Sequence, residues 1–139
     1  MNSDDTFELD ARLAADTALV ADLSLCRVGL MNDATFPWLI LVPRRAGVTE
    51  IVDLAPADAT LLMDEIRLAS RVLRGLTGCD KLNVAALGNM VPQLHVHVIA
   101  RFRADPAWPG PVWGKVPARG YDAAPKAALV AALRSGLRG

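Results

Sequence analysis

Residues 93–98, Gln-Leu-His-Val-His-Val, alternate polar and aliphatic side chains without a break. That alternation constrains the fold more than any other stretch of the chain. A strand sends successive side chains to opposite faces, whereas a helix would scatter these six around its axis. Within "QLHVHVIARF", Leu94, Val96 and Val98 therefore supply a core-facing side. Gln93, His95 and His97 form a polar row on the other, with neighbours roughly 6.5–7 Å apart along the strand. His95 and His97 are the only two histidines among 139 residues.

The rest of the chain supplies partners for such a strand. "LDARLAADT" (9–17) has the spacing of a short amphipathic helix. The segment 17–33 reads as one broken strand or two short ones, interrupted near Asp22. "WLILVPRR" is a near-continuous apolar run suited to a buried strand that Pro43 ends. A long helix follows, with Asp53 as N-cap, Pro56 in its first turn, Leu62, Ile66, Ala69, Leu73 and Leu76 on one stripe, and Gly78 as its stop. "KLNVAAL" (81–87) is a further strand, joined to the histidine strand most simply as a hairpin. A Pro-, Gly- and Trp-rich excursion follows Arg103, and "DAAPKAALVAALRSGL" forms a last helix behind an Asp cap. Strands grouped around one long helix, with no repeat and no linker, indicate a single α+β domain with an antiparallel sheet over residues 1–139.

Bulk properties narrow the function classes. Apolar residues make up 53% and charged residues 22%, the balance of a globular chain. Fifteen basic and fifteen acidic residues cancel, so no net field recruits nucleic acid or an anionic membrane. "FPWLILVP" is too short to span a bilayer, and the acidic start "MNSDDTFELD" is unlike a signal peptide. Cys26 and Cys79 are far apart, outside any CxxC motif, and read as free thiols in a cytoplasmic protein.

Spacing alone leaves three readings of the polar row open. It is the solvent face of an amphipathic strand, or a metal-binding imidazole pair, or a phosphate site in which one imidazole is a nucleophile. A zinc or iron site needs a third ligand, and Asp105 in the following loop is the nearest acid.

"QLHVHVI" resembles the signature of the histidine triad (HIT) family, His-φ-His-φ-His-φ-φ with φ apolar. The resemblance spans about residues 20–103. It includes "MND…WLILVPRR", with its Pro-basic-basic ending, and the layout of "LNVAALGNMVPQLHVHVIAR"; residues 104–139 lie beyond it as a C-terminal extension. It implies a HIT-like domain: a mostly antiparallel sheet of about five strands, one long helix packed on it and a short C-terminal helix. It also implies a nucleotide hydrolase or nucleotidyltransferase working through a nucleotidyl-histidine on His95, with dinucleoside polyphosphates as the less demanding substrates. His97 would donate to phosphate oxygen and hold His95 in place. Asn83 and Asn89 would hydrogen-bond phosphate oxygens, with the backbone N–H groups after Gly88, Met90 among them, assisting. Asn32 matches a ribose-contacting position, and Phe36 and Trp38 flank the nucleoside site. For Asn83, Asn32, Phe36 and Trp38, turn, strand-edge or core roles remain open beside these. The resemblance implies a homodimer, requires no metal or other cofactor, and allows a divalent ion to accompany a polyphosphate.

The departures from the family pattern are specific. Gln93 stands for the first histidine and cannot titrate. Trp38 and Ala46 stand where many members have histidine, and Met90 where some have a hydroxyl residue near the leaving group. Protonation of a leaving group is thereby placed in doubt while the nucleophile is kept, so phosphoramidates are disfavoured. A nucleotide-binding module without turnover is the alternative. Trp108 and Trp113 cap a site, line a dimer seam or pack on their own domain. Arg44, Arg45, Arg101 and Arg103 read as solvated strand-end cations.

Overall fold

In a computed structural model that describes residues 6–139, five antiparallel strands form one sheet. The acidic start read above as unlike a signal peptide falls partly outside these residues. The strands are β1 (Thr17–Asp22), β2 (Cys26–Met31), β3 (Trp38–Pro43), β4 (Lys81–Ala85) and β5 (Val96–Arg101), in the order β1-β2-β3-β5-β4. The broken segment 17–33 is therefore two strands. β5 is central, paired with β3 on one side and β4 on the other. Helices α1 (Ala11–Asp16), α2 (Pro56–Thr77) and α3 (Ala123–Arg138) complete the fold.

Strand alternation splits the core in two. Val28, Leu30, Leu39, Leu41, Val96 and Val98 face α2 and α3, where Leu62, Ile66, Ala69, Leu73, Leu133 and Leu137 meet them. Trp38, Ile40, Val42 and Ile99 point to the opposite face, against Leu13, Phe36, Ala107 and Val112. β3 and β5 are buried throughout because both of their faces are covered, which is why "WLILVP" reads as a continuous apolar run.

α2 starts later than its predicted cap. Asp53 closes a 3₁₀ turn (Ile51–Asp53), and the N-cap is Ala55, with no side-chain hydrogen bond. A residue before proline is pushed to extended backbone; Ala55 has ψ 149°, so the helix begins at Pro56. Gly78, at φ 64°, ends it in the left-handed conformation. Leu76 lies in the last turn and is half-exposed. One carboxylate also sits on the apolar stripe. Glu65 is buried and accepts the backbone N–H groups of Leu25 (2.9 Å) and Cys26 (2.8 Å) at the turn from β1 to β2. Its one-turn offset from Leu62 places it there. Burial, then the Glu65 charge, pushes the Cys26 thiol far above its ordinary range, so Cys26 packs as an inert apolar group. Cys26 and Cys79 are both free.

Residues 102–122 form neither helix nor strand, yet they are tied down. The Asp105 carboxylate accepts the N–H groups of Phe102, Ala107 and Trp108. Asp33 Oδ1 accepts from Thr35 and from Arg119. The excursion thus folds over the sheet face opposite α2, the face that carries His97.

Candidate active site

The strand bearing the histidines is shorter than the alternation suggests. β5 begins at Val96, and residues 92–95 approach it as irregular chain. Pro92 has no N–H to give a ladder, and the N–H of Leu94 bonds to Val48 O instead. Gln93, His95 and His97 are therefore not a row along one strand. His97 is on β5, His95 immediately precedes it, and Gln93 belongs to the approach.

This local turn sets the tautomer of His95. Its Nδ1 lies 2.7 Å from the backbone oxygen of Gln93. A carbonyl only accepts, so Nδ1 carries the proton and Nε2 keeps a free lone pair. The Gln93 side chain turns to the N-terminal segment: its Nε2 donates to Glu8 O and its Oε1 accepts from Asp10 N, each at 2.8 Å. Both ends of that amide are occupied, so it is the Gln93 main chain that touches a catalytic candidate.

His97 is set in the opposite sense. The Trp38 indole N–H, which can only donate, lies 3.0 Å from His97 Nδ1. A neutral His97 then carries its proton on Nε2. Burial and the neighbouring His95 push its pKa down to about 4, so the neutral form holds at physiological pH. The two imidazoles pack edge to face with centroids 5.0 Å apart. One offers a lone pair and the other an N–H: a nucleophile beside a hydrogen-bond donor.

Two predictions arise here. An unfolded histidine takes up its proton near pH 6.5, whereas folded His97 resists it to about pH 4. Between those values the unfolded state binds more protons, so stability should fall as pH drops from about 6.5 to about 4. Urea midpoints across that window should decline, and His97→Gln should flatten the decline. Trp38→Phe removes the donor and frees the His97 tautomer. It should lower kcat about tenfold, the equivalent of one buried hydrogen bond, with KM little changed. An unchanged kcat would show that the tautomer lock is irrelevant.

Trp113 completes the cluster, 5.0 Å from the His97 ring and 5.8 Å from Trp38, both edge to face. Trp38 and Trp113 also line a cavity of about 420 Å³ with Asn32, Asp33, Asp16 and Val112. Asn32 sits at its wall, with Oδ1 3.4 Å from the Tyr121 N–H. His95 lines a second cavity of about 210 Å³, built by residues 49–52, 86–88 and Leu94. The phosphate-loop candidates lie at that end. Gly88 has φ 81°, a conformation that glycine adopts freely, while Asn89 and Met90 are exposed. The N–H groups of Gly88, Asn89 and Met90 donate to no acceptor among the described residues. Arg12 Nη1 holds this loop through Met90 O at 2.8 Å.

Other candidates are placed differently. Phe36 is buried in the core beneath Arg101 and lines neither cavity. Arg101 is not a solvated strand-end cation: it is 1% exposed. It binds Asp105 in a paired geometry (2.8 and 3.0 Å), Gly110 O and Asn83 Oδ1, and it stacks on Phe36 and Trp108. Asn83 shares the His97 face, opposite Ile99, and its oxygen is held by Arg101, leaving its NH₂ as the remaining donor. Arg101 is the contributor that sequence reasoning misplaced, and the donation from Trp38 to His97 and the packing of Trp113 on it are what that reasoning did not supply. For Arg101 a signal existed, since it has the strand parity of His97 and precedes Asp105 by four residues. Among the described residues, no three His, Cys, Asp or Glu side chains cluster as a metal site, and no helix is long and apolar enough to cross a membrane.

A five-stranded antiparallel sheet that carries two neighbouring imidazoles near a glycine turn has the architecture of the histidine triad class. Comparison with known proteins agrees. The HIT domain model matches residues 12–104, and the chain belongs to the HIT family. Its structure superposes on a histidine triad protein from Bradyrhizobium japonicum with TM-score 0.93 and 49% identity, covering 94% of this chain and 98% of that one. A histidine triad protein from Marinobacter aquaeolei VT8 gives 0.92 and 51%, covering 95% and 96%. A curated relative, the asymmetrical bis(5'-nucleosyl)-tetraphosphatase of Schizosaccharomyces pombe, is 31% identical over 72 residues. That match covers 48% of this chain and 39% of the relative, so the chain matches well under half of that protein's length.

Proposed function

We propose that this chain is a nucleotidyl hydrolase or transferase that acts at an α-phosphate through His95. The observation that carries the reading is the pair of opposed tautomers. His95 Nε2 has a lone pair to attack phosphorus, and His97 Nε2–H can donate to the oxygen that gains charge. Attack forms a P–N bond and breaks the bond to the leaving group. Water then breaks the P–N bond and a nucleoside monophosphate departs. The free N–H groups of Gly88, Asn89 and Met90, with the Asn83 amide, hold the phosphate oxygens. The nucleoside occupies the Trp38/Trp113 cavity, where Asn32 meets the ribose and the indoles pack on the base. Each of these steps uses side chains or backbone of this chain; a divalent ion can accompany a polyphosphate.

Gln93 acts through its main chain, holding His95 Nδ1–H; its side-chain amide secures the N-terminal segment. No charged first triad residue is then available to protonate a leaving group, so substrates whose leaving group departs as a stable anion are favoured. Dinucleoside polyphosphates fit that requirement, and the name of the S. pombe relative supports a phosphoanhydride. We also infer a homodimer: β4 is a sheet edge, and Val84 on it and Met63 on α2 leave apolar surface uncovered. A cytoplasmic setting suits the two free thiols.

Hydrolysis of dinucleoside polyphosphates, nucleotide sugars and nucleoside phosphoramidates, measured side by side, tests the reading. Nucleoside monophosphate should be released fastest from the polyphosphates and slowest from the phosphoramidates. Binding of all three without release would identify a nucleotide-binding module instead.

A further inference from the structure

The cavity lined by His95 and the cavity lined by the indoles that pack at His97 differ in the side chains they present. The Trp38/Trp113 cavity carries Asn32, Asp16 and Asp33. The His95 cavity has Ile51, Val52, Ala86, Leu87 and Leu94 on its wall beside Thr49, Gly88 and His95, and its only acidic side chain is Glu50. No lysine or arginine lines it. Ile51 and Leu87 are half-exposed there, and Val52 is 87% exposed. The nearby cation, Arg12, is already paired with Asp10 and bound to Met90 O.

We infer that the His95 cavity is a leaving-group subsite for an uncharged, apolar group joined to the α-phosphate through oxygen, an aryl ester being the simplest case. This deepens the nucleotidyl-transfer reading and rests on it. With the nucleoside in the indole-lined cavity, the leaving group falls on the Val52/Leu87 side. A polyphosphate leaving group meets the requirement of departing as a stable anion, but beyond the α-phosphate it would meet the Glu50 carboxylate and no lysine or arginine, so a neutral leaving group of equal acidity should be used better. An aryl group instead removes exposed apolar surface from water. It also departs as a stabilised aryl oxide, which suits a site with no proton donor to spare. His95 Nε2 bonds to phosphorus as the P–O(aryl) bond breaks, and the aryl oxide takes its proton from water. A second water then hydrolyses the P–N bond.

The test uses two aryl esters of one nucleoside 5'-monophosphate with leaving groups of equal acidity, one neutral and one bearing a sulfonate, alongside a dinucleoside tetraphosphate. The neutral ester should be preferred over the sulfonated one at least tenfold in kcat/KM. The surface variant Val52→Lys/Leu87→Lys should bring that ratio close to one and raise turnover of the tetraphosphate. Equal use of both esters, or a ratio unmoved by the two lysines, overturns the apolar subsite while nucleotidyl transfer stands. Release of nucleoside monophosphate from none of the three compounds overturns nucleotidyl transfer, and this inference with it.

Discussion

His95→Ala should abolish turnover while nucleotide binding survives. The side chain supplies the only lone pair that the local hydrogen bonding leaves free for attack, since His97 Nδ1 is taken by Trp38 and its Nε2 bears a proton. Removing a nucleophile typically costs several orders of magnitude, so kcat should fall by at least about 1,000-fold. The cavity proposed for the nucleoside is built by other residues, so Kd for a nucleoside monophosphate should change less than about threefold, the size of a minor contact. His97→Ala should retain more activity, because a donor to phosphate oxygen is worth about 2.7–4 kcal/mol in comparable sites. Calorimetry of binding with a coupled assay of release separates these outcomes. Equal loss in both variants would mean that the histidines act as one unit rather than as nucleophile and donor.

Arg101→Met should be the most destabilising single change in the molecule. The Arg101 and Asp105 side chains are 2% and 5% exposed. Removing one partner of a buried pair strands the other, at a typical cost of about 3–5 kcal/mol. The loss spreads to the site, because Asp105 gathers the N–H groups of Phe102, Ala107 and Trp108 at the base of the segment that delivers Trp113 to His97. Arg101→Met should lower Tm by roughly 10 °C or more and reduce activity together with it. Arg101→Met/Asp105→Leu should recover much of the stability, since no buried charge is left alone. The pair carries a pH signature as well. Hydrogen bonds from Arg101 hold the Asp105 carboxyl down at about 2, against the opposing effect of burial. An unfolded aspartate titrates near 3.9. Its stabilisation is therefore full above about pH 4 and is lost as pH falls through about 2. The Arg101→Met protein should lack that acid limb.

What was legible in the sequence follows from locality. The face of His97 was readable because strand parity is a property of adjacent residues, and the β3 run and α2 stripe were readable for the same reason. Pro56 and Gly78 marked the limits of α2, while Asp53 misled because the residue before Pro56 must stay extended. The parity argument overreached at Gln93, where Pro92 breaks the ladder and the chain turns so that a carbonyl, not an amide side chain, meets His95. Trp38 was legible as an aromatic near the site but not as the donor to His97, since that contact depends on β3 lying beside β5, which brings together residues 59 apart in sequence. Arg101 was misread for the same reason. Its burial comes from Asp105 and Gly110 folding back over it; its parity with His97 and the Asp105 four residues on hinted at the pairing, but not at the burial.

The covalent step itself is open to one measurement. Wild-type protein mixed with a dinucleoside polyphosphate, quenched within milliseconds at alkaline pH and weighed intact, should show a mass increase of one nucleoside monophosphate less water. That adduct should be acid-labile, map to His95, and be absent from His95→Ala. Turnover of the same substrate with no adduct at any quench time, and with His95→Ala still active, would contradict attack by His95 and place the chemistry elsewhere on the molecule.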